Sequence, residues 1–400
     1  MDEMTMSGGV TLADLSRLLQ GYINDGAVGA SLAFSQGDGE TVTLTSGLSD
    51  RARGIPVSPT QLFKIGSCTK TFTVAALMKL AESGVVELGA PISHWFPDLP
   101  GAAAISVRQL VNHRGGLPEF EYDIPMTPDR IWTPADAFRV GTQSAPGGPA
   151  VYNNTGYVLA GMLIEEVTGK SLGDYVRHQV LEPLGLENTW SPSTESFPEE
   201  RMVRGYYHRP PPAADAGAGI AAGAEMWRMD GVLPYSDALQ DSSDSFPFTA
   251  AYGCGDMVST PGDMIAFIRA LFGGKLLADG MFREMSESRV AVSFPGTRMR
   301  ETGAGLFQSS YADRLVYGHQ GSIPGYVTVM QHEPKSGLTI AMTSNVGSGY
   351  RMSFYAAVCI KCSIRQSASS WTAKPAGDHV SKSARPPVRA VERFDSIVMK

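Results

Sequence analysis

Phe63-Lys64-Ile65-Gly66-Ser67-Cys68-Thr69-Lys70 is the stretch that decides how this 400-residue chain is read. Gln61 to Gly66 reads as a strand running into a turn. Thr71 to Ser83 follows with Phe72, Val74, Ala75, Ala76, Leu77 and Leu80, the pattern of a mostly buried helix. Ser67 therefore stands at a helix start, where the positive end of the helix favours developing negative charge. Lys70 comes three residues later and shares a helix face with it. A serine attacks a carbonyl at neutral pH only when another group takes its proton, and a buried lysine with a lowered pKa is one way to do so. Ser-x-x-Lys alone also fits an ordinary helix cap, so the partners decide.

Working outward toward the N-terminus, Thr11 to Asn24 places Leu12, Leu15, Leu18, Leu19, Tyr22 and Ile23 at helical spacing and ends at Gly26. Val28 to Ser35 and Thr41 to Ser46 are strand-like and flank Gln36-Gly37-Asp38-Gly39, a hairpin signal. Toward the C-terminus the chain turns to helix and loop: a turn at Ile92 to Pro100, a short helix at Val107 to Asn112, and a buried helix from Thr155 to Thr168 closed by Gly169. Ser171 caps a further helix. His208 to Gly223, rich in Pro, Ala and Gly, reads as a mobile loop. Met257 to Phe272 is again helical in pattern, with Thr260-Pro261 at its start. Arg314 to Gly318, Tyr326 to Gln331 and Leu338 to Ser344 read as an antiparallel meander completing the sheet begun at the other end. From about Ser363 to Lys400 apolar periodicity vanishes, the composition of a disordered tail.

Two segments offer partners for Ser67. In Tyr152-Asn153-Asn154, alternate side chains point the same way if the segment is extended. A phenol can relay a proton when cations lower its pKa, and an amide can hold a lysine and a substrate carbonyl together. Gly318-His319-Gln320-Gly321-Ser322 lies near the end of the first meander strand. Gly321 there permits close approach of backbone to a ligand, and neighbouring amides can complete an oxyanion hole. Core packing of Tyr152 and a satisfied strand histidine at 319 are the plainer alternatives.

Composition narrows the classes. The net charge is −7, hydrophobic residues make up 43%, and no basic stripe suggests nucleic acid. No apolar run reaches the ~18 residues of a membrane span, and the first residues lack a secretory h-region, so a cytoplasmic location is the default expectation. Cys68, Cys254, Cys359 and Cys362 are too few for a disulfide framework, and Cys359-x-x-Cys362 reads as two helix-face residues. No metal site is expected, because the histidines do not cluster and His-Glu-x-x-His is missing.

Ser-x-x-Lys, Tyr-x-Asn and His-x-Gly in this order resemble the serine β-lactamase and penicillin-binding protein superfamily. The likeness is to the branch of class C β-lactamases, D-aminopeptidases and D-amino-acid amidases. Trp95 to Pro100, Asn112 to Pro118, Asn154 to Gly161 and Asp256 to Pro261 extend it, from roughly residue 10 to 358. The resemblance implies an α/β (α+β) fold of the β-lactamase/DD-peptidase kind, in which helices flank an antiparallel sheet. One catalytic domain is expected over residues 10–362, with an α/β part at 10–66 and 250–362 and a mainly helical part at 67–249. It also implies an acyl-enzyme on Ser67, proton traffic through Lys70 and Tyr152, a supporting Asn154, and an oxyanion hole from the amides of Ser67 and Ser322. No cofactor is implied.

The third motif bears on substrate. Relatives that take a terminal carboxylate usually carry lysine where this chain has His319, and a mostly neutral imidazole is a poor carboxylate anchor near pH 7. A small amide, ester or free N-terminal residue fits better. The resemblance points to Glu121 for a substrate ammonium, and Phe246 and Tyr252 are candidate walls of a side-chain pocket. The expected function is a D-stereospecific amidase or aminopeptidase acting on a small-molecule substrate. An esterase, transacylase or weak β-lactamase, or a non-catalytic penicillin-binding sensor, remains as the alternative. Sequence says nothing of oligomeric state.

Overall fold

The computed structural model describes residues 11–117, 145–208, 239–244, 246–287, 289–292, 299–311 and 314–347. Helix α1 (Leu12–Asn24) opens on a capping box, in which the Thr11 hydroxyl accepts the Asp14 N–H and the Asp14 carboxylate returns the bond. Strands β1 (Gly29–Gln36) and β2 (Val42–Asp50) form the expected hairpin, and β3 (Ile55–Pro56) pairs with β2. After β4 (Phe63–Lys64) a single 3-10 turn, Gly66–Cys68, leads into α2 (Thr69–Glu82). Short α3 (Val107–Val111), α4 (Thr155–Thr168) and α5 (Leu172–Val176) follow at the anticipated positions. Two small strands, β5 (Tyr206–His208) and β6 (Leu239–Asp241), pair with each other.

Three expectations need correction. Helix α6 (Pro261–Phe272) starts at Thr260-Pro261 as read, with Thr260 as its cap, but the helical pattern does not hold back to Met257, because β7 (Val258–Ser259) pairs with β4. Proline at the first helical position fixes that start. Helix α7 (Asp279–Glu287) and strands β8 (Val290–Ala291), β9 (Met299–Thr302) and β10 (Phe307–Tyr311) were not anticipated, since their apolar residues are sparse. The first meander strand does not stop at Gly318, because β11 (Arg314–Ile323) runs on through the His319 motif. Strands β12 (Tyr326–Glu333) and β13 (Leu338–Ser344) complete the meander, and β14 (Val346–Gly347) pairs with β5.

Among the described residues the main sheet has nine strands in the order β3-β2-β1-β13-β12-β11-β10-β9-β8, every pairing antiparallel. Strand alternation divides its two faces. Leu32 and Phe34 of β1 meet Leu15, Leu19 and Tyr22 of α1 on one side. Ala33, Met330 and Ala341 face the other side, where α2, α4 and α6 build the larger core. Phe72 of α2 and Phe267 of α6 stack there with ring centroids 3.7 Å apart. Helix α2 is buried nearly all round, Thr69 to Met78 without a break, so its polar side chains need partners within the fold. Its threonines are satisfied by backbone: Thr69 accepts the Met257 N–H, Thr71 donates to the Gly305 carbonyl and Thr73 donates to the Gly253 carbonyl. These bonds fix the start of α2 between the Gly253–Met257 loop and the Gly305 turn.

Among the described residues no helix is long and apolar enough to cross a membrane, and no group of His, Cys, Asp or Glu could hold a metal ion. The run at 209–238, the acidic loop with Glu121, the Cys359-x-x-Cys362 pair and the C-terminal tail lie outside the described residues.

Candidate active site

Strand β10 leaves β11 after the Phe307–Gly318 pair, so from His319 onward that side of β11 faces the turn carrying Ser67. The two backbones touch. A methyl group placed on Gly321 would lie 1.9 Å from the Ile65 carbonyl oxygen and 3.0 Å from the Ser67 amide nitrogen. One placed on Gly66 would lie 3.0 Å from the Ser322 nitrogen. Only glycine at 321 permits this seam, and it brings the amides of Ser67 and Ser322 together. The Cys68 thiol, buried beneath, donates to the His319 carbonyl across the same seam at 3.4 Å.

Lys70 is fully buried. Its Nζ donates to Ser67 Oγ at 3.1 Å, to Asn154 Oδ1 at 2.5 Å and to the Cys254 carbonyl at 2.8 Å. No carboxylate pairs with it among the described residues. Two of its three partners are carbonyl oxygens, which can only accept, so they claim two N–H groups and leave the third direction to Ser67. An ammonium donates along that direction. A neutral amine would instead present its lone pair to the serine hydroxyl. The geometry thus serves both protonation states, as a proton-transfer pair requires. Tyr152 joins them: Lys70 Nζ lies 5.1 Å from the centre of its ring. Ser67 and Tyr152 are half-buried, whereas Asn154 is buried at the start of α4.

His319 is buried, and its Nδ1–H donates to the Gln320 carbonyl at 2.6 Å. Its Nε2 is left as an acceptor with no partner among the described residues. Burial, reinforced by the positive charge of Lys70, pushes its pKa down to about 3, so the ring is neutral near pH 7. It packs on Phe307, centroids 4.7 Å apart, with Tyr152 at 6.3 Å.

The residues anticipated as machinery, Ser67, Lys70, Tyr152, Asn154, His319, Gly321 and Ser322, are brought to one place. Tyr252 is not among them. Its ring packs into the large core against Gly161 of α4 instead of walling the site. Phe246 is half-buried between two cores, and its carbonyl accepts a 2.9 Å bond from the buried Lys64. Burial lowers the Lys64 pKa to about 8. Two participants went unread. The Cys254 carbonyl is a backbone group, and no side-chain pattern announces it. His113, in the Asn112 to Pro118 segment, is the other; its ring lies tilted against that of Tyr152 with centroids 4.7 Å apart.

With this geometry in view, a family model described as beta-lactamase matches residues 15–357. The chain belongs to the β-lactamase family. It is accordingly a serine hydrolase of the β-lactamase and penicillin-binding protein group. It is 36% identical to the D-amino acid amidase of Ochrobactrum anthropi SV3, solved with L-phenylalanine amide, at a TM-score of 0.78 over 89% of this chain and 99% of that one. A D-stereospecific amidohydrolase from Streptomyces sp. is 26% identical, with a TM-score of 0.69 over 86% of this chain and 96% of that one. Penicillin-binding protein 4 of Amycolatopsis lactamdurans is 25% identical over 334 residues, 80% of this chain and 81% of that protein.

Proposed function

We propose that this β-lactamase-family hydrolase is a D-stereospecific amidase acting on small D-amino-acid amides or short D-peptides through an acyl-enzyme. The observation that carries the chemistry is the buried Lys70 Nζ, held by two carbonyl oxygens and turned to Ser67 Oγ. Ser67 Oγ attacks the carbonyl carbon while its one proton passes to a single base, either the neutral Lys70 amine or the Tyr152 phenolate kept ionised beside the Lys70 ammonium. The new C–O bond forms a tetrahedral oxyanion, which lies against the amides of Ser67 and Ser322. The C–N bond then breaks, the proton goes to the leaving nitrogen, and the amine or ammonia departs. Water attacks the ester by the reverse proton path, releasing the D-amino acid and restoring the Ser67 hydroxyl. Asn154 holds Lys70 in register.

Two observations favour an amide over a terminal carboxylate. His319 is uncharged and presents only an acceptor lone pair, so it repels a carboxylate rather than binding it. The 36% identity and near-complete coverage shared with a D-amino acid amidase point the same way. Glu121 is the candidate partner for the substrate ammonium, and Phe246 for its side chain. Turnover of D- and L-phenylalaninamide measured side by side, with a p-nitrophenyl ester as third substrate, tests the reading. The D-amide should turn over well ahead of the L-amide. Equal rates would remove stereospecificity, and turnover of the ester alone would remove amidase activity.

A further inference from the structure

The loop that carries Tyr152 is fastened to His113 on both sides of the tyrosine. The His113 carbonyl accepts the Val151 N–H at 3.0 Å, and its Nδ1 accepts the Asn153 N–H at 3.1 Å. These bonds fall on the residues just before and just after Tyr152. Between them the imidazole lies on the tyrosine ring, tilted by 31°. Because Nδ1 accepts, the ring proton is on Nε2, which faces the Tyr157 hydroxyl at 3.3 Å. That hydroxyl donates to the Val111 carbonyl at 2.7 Å and accepts the Gly305 N–H at 3.2 Å, so both imidazole nitrogens and the Tyr157 hydroxyl are paired. Burial holds the imidazole well below its ordinary pKa, with Lys70 and His319 adding to the effect. An imidazolium would set N–H against the N–H of Asn153. The backbone adds an independent sign: His113 has φ of 62°, the sole non-glycine residue in the left-handed region among those described. Such a conformation persists only where surrounding contacts fix it, and it gathers at functional sites.

We propose that His113 is a positioning residue, whose carbonyl and imidazole clamp residues 151–153 so that the Tyr152 phenol stays in place for proton transfer with Lys70 and Ser67. This rests on the proton role given to Tyr152 above. It extends that role by naming what holds the phenol, a residue whose imidazole nitrogens are taken by Asn153 and Tyr157.

The test compares wild type, Tyr152→Phe, His113→Asn, His113→Gly and the double variant Tyr152→Phe/His113→Gly. Each is assayed for kcat and KM on D-phenylalaninamide and on p-nitrophenyl acetate, with Tm measured alongside. The acetate ester reads the Ser67 chemistry whether or not the D-amide is the substrate. Asparagine tolerates positive φ and offers an amide oxygen near the position of Nδ1, whereas glycine suits the backbone but has neither acceptor nor ring. His113→Gly should lower kcat about 10²-fold, the scale of an ångström misplacement, with KM within about twofold. His113→Asn should recover most of that loss, and in the Tyr152→Phe background His113→Gly should lower kcat no further. Equal kcat in the Asn and Gly variants would overturn the proposal, as would a loss confined to KM or additive losses in the double variant. Tyr152→Phe at wild-type kcat would remove the proton role of Tyr152, and this proposal with it. A slow Tyr152→Phe beside a fully active His113→Gly would refute the clamp alone.

Discussion

Replacing Gly321 by alanine perturbs the closest contact in the site. The added methyl would lie 1.9 Å from the Ile65 carbonyl oxygen, where a carbon needs about 3.3 Å. The turn carrying Ser67 and strand β11 must therefore part by about 1.4 Å. This gap opens between the amides of Ser67 and Ser322, so a carbonyl oxygen placed against one loses the other. Loss of a single oxyanion donor costs about 10²–10³ in kcat, or about 2.7–4 kcal/mol. Gly321→Ala should fall in that range with KM little changed, because ground-state binding makes less use of these donors. Steady-state kinetics on D-phenylalaninamide and a p-nitrophenyl ester measure it, with Tm following the accompanying strain. Wild-type kcat in Gly321→Ala would refute the argument that this seam builds the oxyanion site.

Lys70→Ala removes the group that Ser67 shares protons with, and kcat should fall about 10²–10⁴-fold; a loss smaller than tenfold would assign proton transfer elsewhere. His319, held at about 3 by burial and Lys70, stays neutral across the working range. His319→Gln should leave the inflections of the kcat/KM pH profile where they are, and loss of an inflection near pH 6 would contradict the buried, neutral ring. Asp256 is buried beside Ser191 and Ser193, and burial pushes its carboxyl up to about 6. Because the folded state holds that proton more tightly than the unfolded chain, the contribution is fully present below about pH 4 and is lost as pH rises through about 6. Asp256→Asn has no such loss, so its stability relative to wild type should rise by about 2 kcal/mol between pH 4 and 7. Urea midpoints that track each other across that range would contradict it.

Much of this was legible from residue patterns because the decisive groups are side chains at fixed local spacing. Ser67 and Lys70 share a helix face, and Thr155–Thr168 ends at a glycine as its pattern requires. The parts that were misread depend on distant chain. Val258 is a strand residue because β4 lies beside it, which a local helical period cannot reveal. β11 continues past Gly318 because β12 pairs with it as far as Ile323. Tyr252 is a candidate wall in the sequence and a core residue in the structure, because an aromatic near a motif looks the same in sequence whether it lines a pocket or fills a core. The Cys254 carbonyl left no trace at all, since backbone acceptors are set by the path of the chain.

The central claim is an acyl-enzyme on Ser67 formed from a D-amino-acid derivative. It is tested most directly by acid-quenching the protein with D- and L-phenylalanine p-nitrophenyl esters and mapping any adduct by peptide mass spectrometry. The account predicts a phenylalanyl adduct on Ser67 that accumulates with the D-ester, stays well below it with the L-ester and is missing in Ser67→Ala. An adduct on another residue, or equal labelling by the two enantiomers, would contradict it.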